Sequence, residues 1–307
     1  YICSEASIFS IVAYFMPAHS GYSFTIIIKR FKFKIINVCY LSFSHSNNTI
    51  IITLIMQDIY VNDTGKGLPL VMVHGFLGSS EMWKLQTKRF QKNFRVLTPA
   101  LPGFGESKEI KSCDSIECMA KAILKSLKIK KIDRFNLLGH SMGGMIAQEM
   151  ARLEAHKILK LIFYGTGPSG NIPGRFETID ESRNKLRING LEVTANRIAK
   201  TWFVDGDKSK YFYLCEIAGK QTTIEAVDNG LIAMKNWNGI SNLKNIKNKT
   251  LIIWGDQDKA YNYKQVEVLK KNILDSALKI FKGCSHNVHL EKPDEFNDIV
   301  DKFLKKT

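Results

Sequence analysis

The chain has 307 residues, enough to bury a large core, and its 45% apolar and 24% charged content is ordinary for a globular protein. The net charge of +15 comes from lysines and arginines spread along the whole length. Without a compact basic block carrying interleaved aromatics, it does not indicate a nucleic-acid partner. The six cysteines show no paired C-x-x-C spacing, which argues against a zinc site or a disulfide framework and for a reducing, cytoplasmic setting.

Residues 1–55 differ from the rest, with Gly21 as the only glycine and Glu5 as the only acidic residue. The apolar run at 8–16 is too short to cross a bilayer, which takes about 20 residues, and no basic region precedes it as in a secretory signal. The stretch "TIIIKRFKFKIINV" alternates apolar and basic residues, the pattern of an edge strand or a membrane-surface segment. We read 1–55 as a doubtful extension, translated upstream sequence or poorly ordered chain, with Met56 as a plausible start and 56–307 as the functional domain. Stable membrane insertion is not expected.

From residue 58 onward, short β-branched runs alternate with helical periodicity. Strands are predicted at 58–61, 68–73, 95–98, 135–138, 159–164, 250–254 and 277–281. Helices are predicted near 81–91, 116–127, 142–153, 263–273 and 293–304. Strands separated by helices of this length imply βαβ units and a mostly parallel sheet covered on both faces. The alternation breaks at about 168–246, a mainly helical stretch rich in arginine and aromatics and long enough to be an inserted cap. Its arginines are expected mostly on solvated helix faces with i,i+4 pairing. Arg175, in the segment joining a strand end to the cap, is the candidate for gripping a substrate carboxylate.

The chemistry centres on Gly139-His140-Ser141-Met142-Gly143, which fits G-x-S-x-G. An apolar strand run precedes it and a helix-forming run follows, the strand–turn–helix setting of a nucleophile elbow. The alternative role for Ser141 is a helix cap. A serine hydroxyl is a weak nucleophile at neutral pH and needs a base, which in turn needs an orienting acid. In "KGCSHNVHLEKPDEF", His286 lies in the loop beyond the last strand and is the better base; His289 is expected to pack or to pair with Glu291. "LIIWGDQDKA" sets Asp256 and Asp258 at the C-terminal end of a strand, where sheets of this type collect functional groups. Asp256 suits the turn beside Gly255, and Ser141, Asp258, His286 then follow one another in the order of a known triad. For an oxyanion, the backbone N–H groups of Phe76 in "HGFLGS" and of Met142 are the natural donors. His74, Gly75 and His140 flank these groups and are candidate substrate contacts. No metal or organic cofactor is signalled.

"HGFLGS" with Trp83, "LPGFGES", "GHSMGG", "WGDQD" and "GCSHNVHLEKP" together resemble the α/β-hydrolase superfamily, specifically its capped serine hydrolases. The resemblance covers nearly everything after Met56. It implies a sheet of the eight-stranded type flanked by helices and topped by a helical cap. It also assigns Asp258 through the W-G-x-x-D pattern and His286 through G-x-x-H followed by E-x-P. Ala100 stands where "DLPGFG" usually has an aspartate, a change expected to alter a turn rather than catalysis. A serine nucleophile disfavours the dehalogenases and epoxide hydrolases, which use aspartate. The implied substrate is a small molecule with a carboxylic ester, lactone or thioester carbonyl. The alternatives are a triad lyase or C–C hydrolase similar to the menaquinone-pathway enzyme that eliminates pyruvate, and a non-catalytic ligand-binding member. Met145 stands where that pyruvate-eliminating enzyme carries an arginine.

Overall fold

The computed structural model describes residues 58–305 apart from Asn171, together with four short strand segments earlier in the chain. It falls into two compact units, Tyr1–Ile55 and Met56–Thr307. In the first, Ala13–Met16 pairs antiparallel with Ser23–Ile26, and His45–Ser46 with Thr49–Ile50. Most of the alternating basic stretch, and Met56 itself, lie outside the described residues.

The second unit is built on one sheet of seven strands: β1 Val61–Thr64, β2 Pro69–Val73, β3 Arg95–Pro99, β4 Phe135–His140, β5 Ile158–Tyr164, β6 Lys249–Gly255 and β7 Ser276–Phe281. Their order across the sheet is β7-β6-β5-β4-β2-β3-β1, parallel throughout except where the edge strand β1 runs antiparallel to β3. The sheet of eight-stranded type is corrected to seven strands among the described residues. The chain leaves β1 through Gly65 and Gly67, both at positive φ, and enters the sheet interior directly as β2. The first strand also starts three residues later than its periodicity suggested.

The nine helices of the described residues are α1 Lys84–Phe90, α2 Ile116–Ile129, α3 Met142–Glu154, α4 Ile179–Lys200, α5 Phe212–Lys220, α6 Ile224–Asn236, α7 Tyr263–Asn272, α8 Val288–Glu291 and α9 Pro293–Lys305. Successive strand side chains point to opposite faces, so both faces can be traced residue by residue. Val71, Leu137, Phe163 and Ile252 join one core cluster with Met119 and Ile123 of α2 and Ile146 and Met150 of α3. Their neighbours Leu70, Leu138, Ile162 and Ile253 join a second cluster with Phe90 of α1 and Phe296 and Val300 of α9. A strand buried on both faces must be apolar at every position, which is why β4 reads as a continuous run rather than an alternation.

Between β5 and β6 the chain leaves the sheet and forms α4, α5 and α6. Thr178 caps α4 with a capping box to Glu181, and Gly190, at φ 77°, breaks that helix in the middle. The arginines here do not pair at i,i+4. Arg183 grips Asp228 of α6 with two bonds of 2.7 and 2.9 Å, and Arg197 grips Glu177 with bonds of 2.7 and 2.9 Å. The helices fold back on one another, so partners come from neighbouring elements rather than the next turn.

The cysteines are a second correction. Cys113 and Cys118 form a disulfide across the N-terminus of α2, whereas Cys215 and Cys284 are buried free thiols. Ser115 caps α2 by accepting from the Cys118 N–H, and the resulting turn brings the two Cα atoms to 5.8 Å. A C-x-x-C search misses a pair brought together by a cap.

Among the described residues no helix is long and apolar enough to cross a membrane, and no cluster of His, Cys, Asp or Glu could hold a metal ion.

Candidate active site

Because β2 and β4 to β7 are parallel, the loops leaving their C-terminal ends meet along one edge of the sheet. Ser141 lies between β4 and α3 at φ 56° and ψ −120°, a backbone region that side-chain-bearing residues seldom occupy. Hydrogen bonds to its backbone hold it there. Its N–H donates to the Tyr164 carbonyl at 2.9 Å, and its carbonyl accepts from the Gly144 N–H and the Thr166 hydroxyl, each at 2.8 Å. The turn closes only over glycine. A Cβ on Gly139 would stand 2.2 Å from the Gly143 carbonyl oxygen, and one on Gly143 would stand 2.3 Å from that of Val73. The Ser141 side chain makes no capping bond to α3, so the helix-cap reading has no hydrogen bond behind it.

His286 and Asp258 meet from the loops after β7 and β6, with the His286 Nδ1 2.9 Å from Asp258 Oδ2 and both side chains essentially inaccessible. The other carboxylate oxygen accepts from the backbone N–H groups of Ala260 (2.7 Å) and Tyr261 (3.1 Å). An acceptor-only carboxylate facing Nδ1 puts the imidazole proton on that nitrogen and leaves Nε2 with its lone pair. The His286 carbonyl accepts from the Tyr164 hydroxyl at 2.7 Å and lies 3.2 Å from His140 Nε2, which pins the loop as well as the ring.

His74, His140 and His289 are also buried. His289 packs on Trp83 at 4.9 Å between ring centroids and lies 3.0 Å from the Tyr164 hydroxyl; burial pulls its pKa down to about 3. It packs, as one of its two expected roles required, whereas Glu291 instead accepts from the N–H groups of Val204 and Ser285. His140 stacks on Tyr164 at 4.4 Å, and burial, then the neighbouring His286 and His289, hold its pKa well below the ordinary value. Its edge reaches a small cavity shared with Gly75, Ser141 and His286.

His74 departs from its expected place as a substrate contact. Its Nε2 accepts from the Leu101 N–H at 3.0 Å and its Nδ1 donates to the Gly75 carbonyl at 2.8 Å. Burial lowers its pKa to about 4, so both ring nitrogens are committed to holding the loop after β2 against the one after β3. Gly75 itself is required by closeness, since a Cβ there would lie 2.9 Å from the Ser141 Cβ. Phe76 lines both cavities, and Met142, as the first residue of α3, has an N–H with no intrahelical partner.

A larger cavity holds Ser141 and His286 on one side and Arg175, Ile198, Trp202 and Met234 of the helical insertion on the other. Arg175 therefore reaches the serine's cavity, anchored through Nη1 to the Glu177 carbonyl (2.7 Å) and the Ser182 hydroxyl (3.1 Å), with its guanidinium 4.3 Å from the Phe176 ring centroid.

The family model described as alpha/beta hydrolase fold matches residues 69–293, from the start of β2 to the start of α9. The chain belongs to this family. As an α/β-hydrolase it is 25% identical over 249 residues to the pimeloyl-[acyl-carrier protein] methyl ester esterase of Legionella pneumophila, covering 81% of this chain and all of that one. It is 28% identical over 264 residues to a 2-hydroxy-6-oxononadienedioate/2-hydroxy-6-oxononatrienedioate hydrolase of Pseudomonas putida, covering 80% and 92%. Among solved structures, the enol-lactonase of Burkholderia xenovorans LB400 shares the fold with a TM-score of 0.73 at 23% identity, over 81% of this chain and 96% of that one.

Two residues of this α/β-hydrolase site were missed in the sequence. Trp202, after α4, lies 6.0 Å from the His286 ring, and Tyr261, three residues beyond Asp258, stacks on it at 5.7 Å and 15°. The short spacing from Asp258 was the available signal for Tyr261; nothing local marks Trp202.

Proposed function

We propose that the protein is a serine hydrolase that cleaves an ester-like bond of a small molecule through Ser141, His286 and Asp258. The observation that carries the reading is a buried His286–Asp258 pair whose imidazole lines one cavity with a serine held at φ 56°. Ser141 Oγ attacks the carbonyl carbon as His286 Nε2 takes its proton. Asp258, bonded to Nδ1, stabilises the imidazolium that forms. The N–H groups of Phe76 and Met142 receive the negative charge on the carbonyl oxygen. The imidazolium then protonates the leaving alkoxide or thiolate, leaving an acyl-enzyme. Water, deprotonated by the same imidazole, releases the acid and restores the serine. The helical insertion at 168–246 acts as a cap that supplies the apolar wall of the acyl site, with Arg175 as its cationic end.

The esterases and lactonase among its relatives and structural neighbours support carboxylic esters, lactones or thioesters as the substrate class. The Pseudomonas relative keeps C–C bond cleavage as a second reading, because the same triad can process a carbon leaving group. Turnover of a β-diketone panel with no ester hydrolysis would select it. The primary test is a fluorophosphonate probe on the intact protein. Labelling at Ser141 that disappears in Ser141→Ala supports the nucleophile, and equal labelling of the two proteins refutes it. A cytoplasmic location is our reading, against which the Cys113–Cys118 disulfide counts: alkylation of protein taken directly from cells that finds the pair oxidised would overturn it.

A further inference from the structure

Residues 201–205, just beyond α4, are irregular, and so is the loop 282–287 that carries His286. Neither has a helix or ladder of its own to fix it, yet the two meet at the active site. Trp202 lines both cavities and lies 6.0 Å from the His286 ring. The Asn287 N–H donates to the Trp202 carbonyl at 2.9 Å, and the Ser285 hydroxyl lies 3.2 Å from the Thr201 carbonyl. The Glu291 carboxylate spans the same two segments. Its Oε1 accepts from the Val204 N–H at 2.7 Å, and its Oε2 accepts from the Ser285 N–H at 2.6 Å, one residue before His286.

Glu291 can hold both because its own backbone is anchored. It is the last residue of α8, where the His289 N–H donates to the Tyr164 hydroxyl of β5 at 3.2 Å and the His289 carbonyl accepts from Gln86 of α1 at 2.9 Å. The post is thus fixed to the sheet and to a helix, while both groups it holds belong to irregular chain. A carboxylate donates nothing and offers one oxygen to each N–H, and bonds to a charged acceptor are the stronger kind. Burial raises its carboxyl above the ordinary range; the Val204 and Ser285 N–H groups pull against that rise, Asp205 adds to it, and His286 opposes it. The geometry is therefore kept against the cost of desolvation.

We propose that Glu291 is a positioning residue: its carboxylate ties the Trp202 segment of the helical insertion to the loop of His286, so that the cavity wall and the base move as one body. This rests on the reading of Ser141 as nucleophile and His286 as base.

The test is Glu291→Gln, which keeps the shape but turns an NH2 group against one of the two N–H donors. Hydrogen exchange should become at least about ten-fold faster at the Val204 and Ser285 amides. Unchanged exchange at both would overturn the tie. The downfield Nδ1–H resonance of His286 reads the base without substrate: it should broaden or vanish in Glu291→Gln, and an identical resonance would overturn the proposal. Both measurements stand even if the wild type hydrolyses no ester, an outcome that would sink the hydrolase reading alone. On p-nitrophenyl butyrate, kcat per site titrated with a fluorophosphonate should fall by about 10- to 100-fold, and a value within two-fold of wild type would refute positioning. Glu291→Asp keeps the charge facing Asp205 and His286 but shortens the reach by one methylene, so it should share the loss; wild-type kcat there would assign the effect to the field and overturn the tie. Combined with Trp202→Ala, the Glu291→Gln loss should be non-additive, and additive losses would show that the two segments are uncoupled.

Discussion

Asp258→Asn changes one atom and tests the whole arrangement. Asp258 Oδ1 accepts two backbone N–H groups at 2.7 and 3.1 Å, which only an oxygen can satisfy. The asparagine oxygen must take that position, leaving its NH2 group facing His286 Nδ1 at the former 2.9 Å contact. A donor opposite a donor is repulsive, so the imidazole moves its proton to Nε2 and presents N–H, not a lone pair, toward the serine. The variant loses a charge-assisted bond to the imidazolium between two buried side chains, and loses the productive tautomer as well. In a serine triad this tautomer inversion costs about 10⁴ in kcat, or about 5.5 kcal/mol of barrier. We expect a fall of about 10³- to 10⁴-fold in kcat on p-nitrophenyl butyrate at pH 7.5, with KM nearly unchanged and the melting temperature within a few degrees of wild type. A folded Asp258→Asn protein within ten-fold of wild-type kcat would refute both the tautomer argument and the assignment of Asp258.

Gly143→Ala places a Cβ 2.3 Å from the Val73 carbonyl oxygen, a backbone atom, and should cost roughly 3 kcal/mol in urea unfolding together with most of the activity. Glu177→Ala leaves Arg197 and Lys185 facing a vacated site. Because both are partly exposed, the loss should be about 2–3 kcal/mol, read as faster proteolysis within residues 168–246. Stability should also fall as the pH is lowered from about 6.5 toward 4. His74, His140 and His289 have folded pKa values below the unfolded value, so the unfolded chain binds more protons in that window. Each contributes up to about 1.4 kcal/mol per pH unit, and a melting temperature that is flat across the window would contradict their burial as neutral rings. Reduction of Cys113–Cys118 returns a short loop's worth of chain entropy to the unfolded state and should lower stability by about 2 kcal/mol, measured by thermal melts with and without dithiothreitol.

Much of this molecule could be read along the chain because its physical signals are local. Buried parallel strands must be apolar throughout, so β4, β5 and β6 announced themselves within a residue or two of their ends. The elbow was legible because its steric requirement for glycine falls within five residues of Ser141. Asp258 and His286 could be chosen over Asp256 and His289 because each follows a strand end at a spacing that suits the loop edge. In the structure Asp256 accepts from the Gly283 N–H at 2.7 Å, and His289 is packed behind Trp83 and Tyr164.

What sequence spacing does not encode is which distant groups occupy a side chain. His74 looked like a substrate contact until the Leu101 N–H, from the loop after β3, was found on its Nε2. Arg183 found Asp228 on another helix, and Cys113 found Cys118 only because a helix cap turned the chain. By itself the sequence determined the sheet and the tight glycine turn around Ser141, since each depends on local sterics and two-face burial. Only the tertiary structure decided that Tyr261 and Arg175 line the same cavity as Ser141, because that depends on how the helical insertion packs over the strand ends.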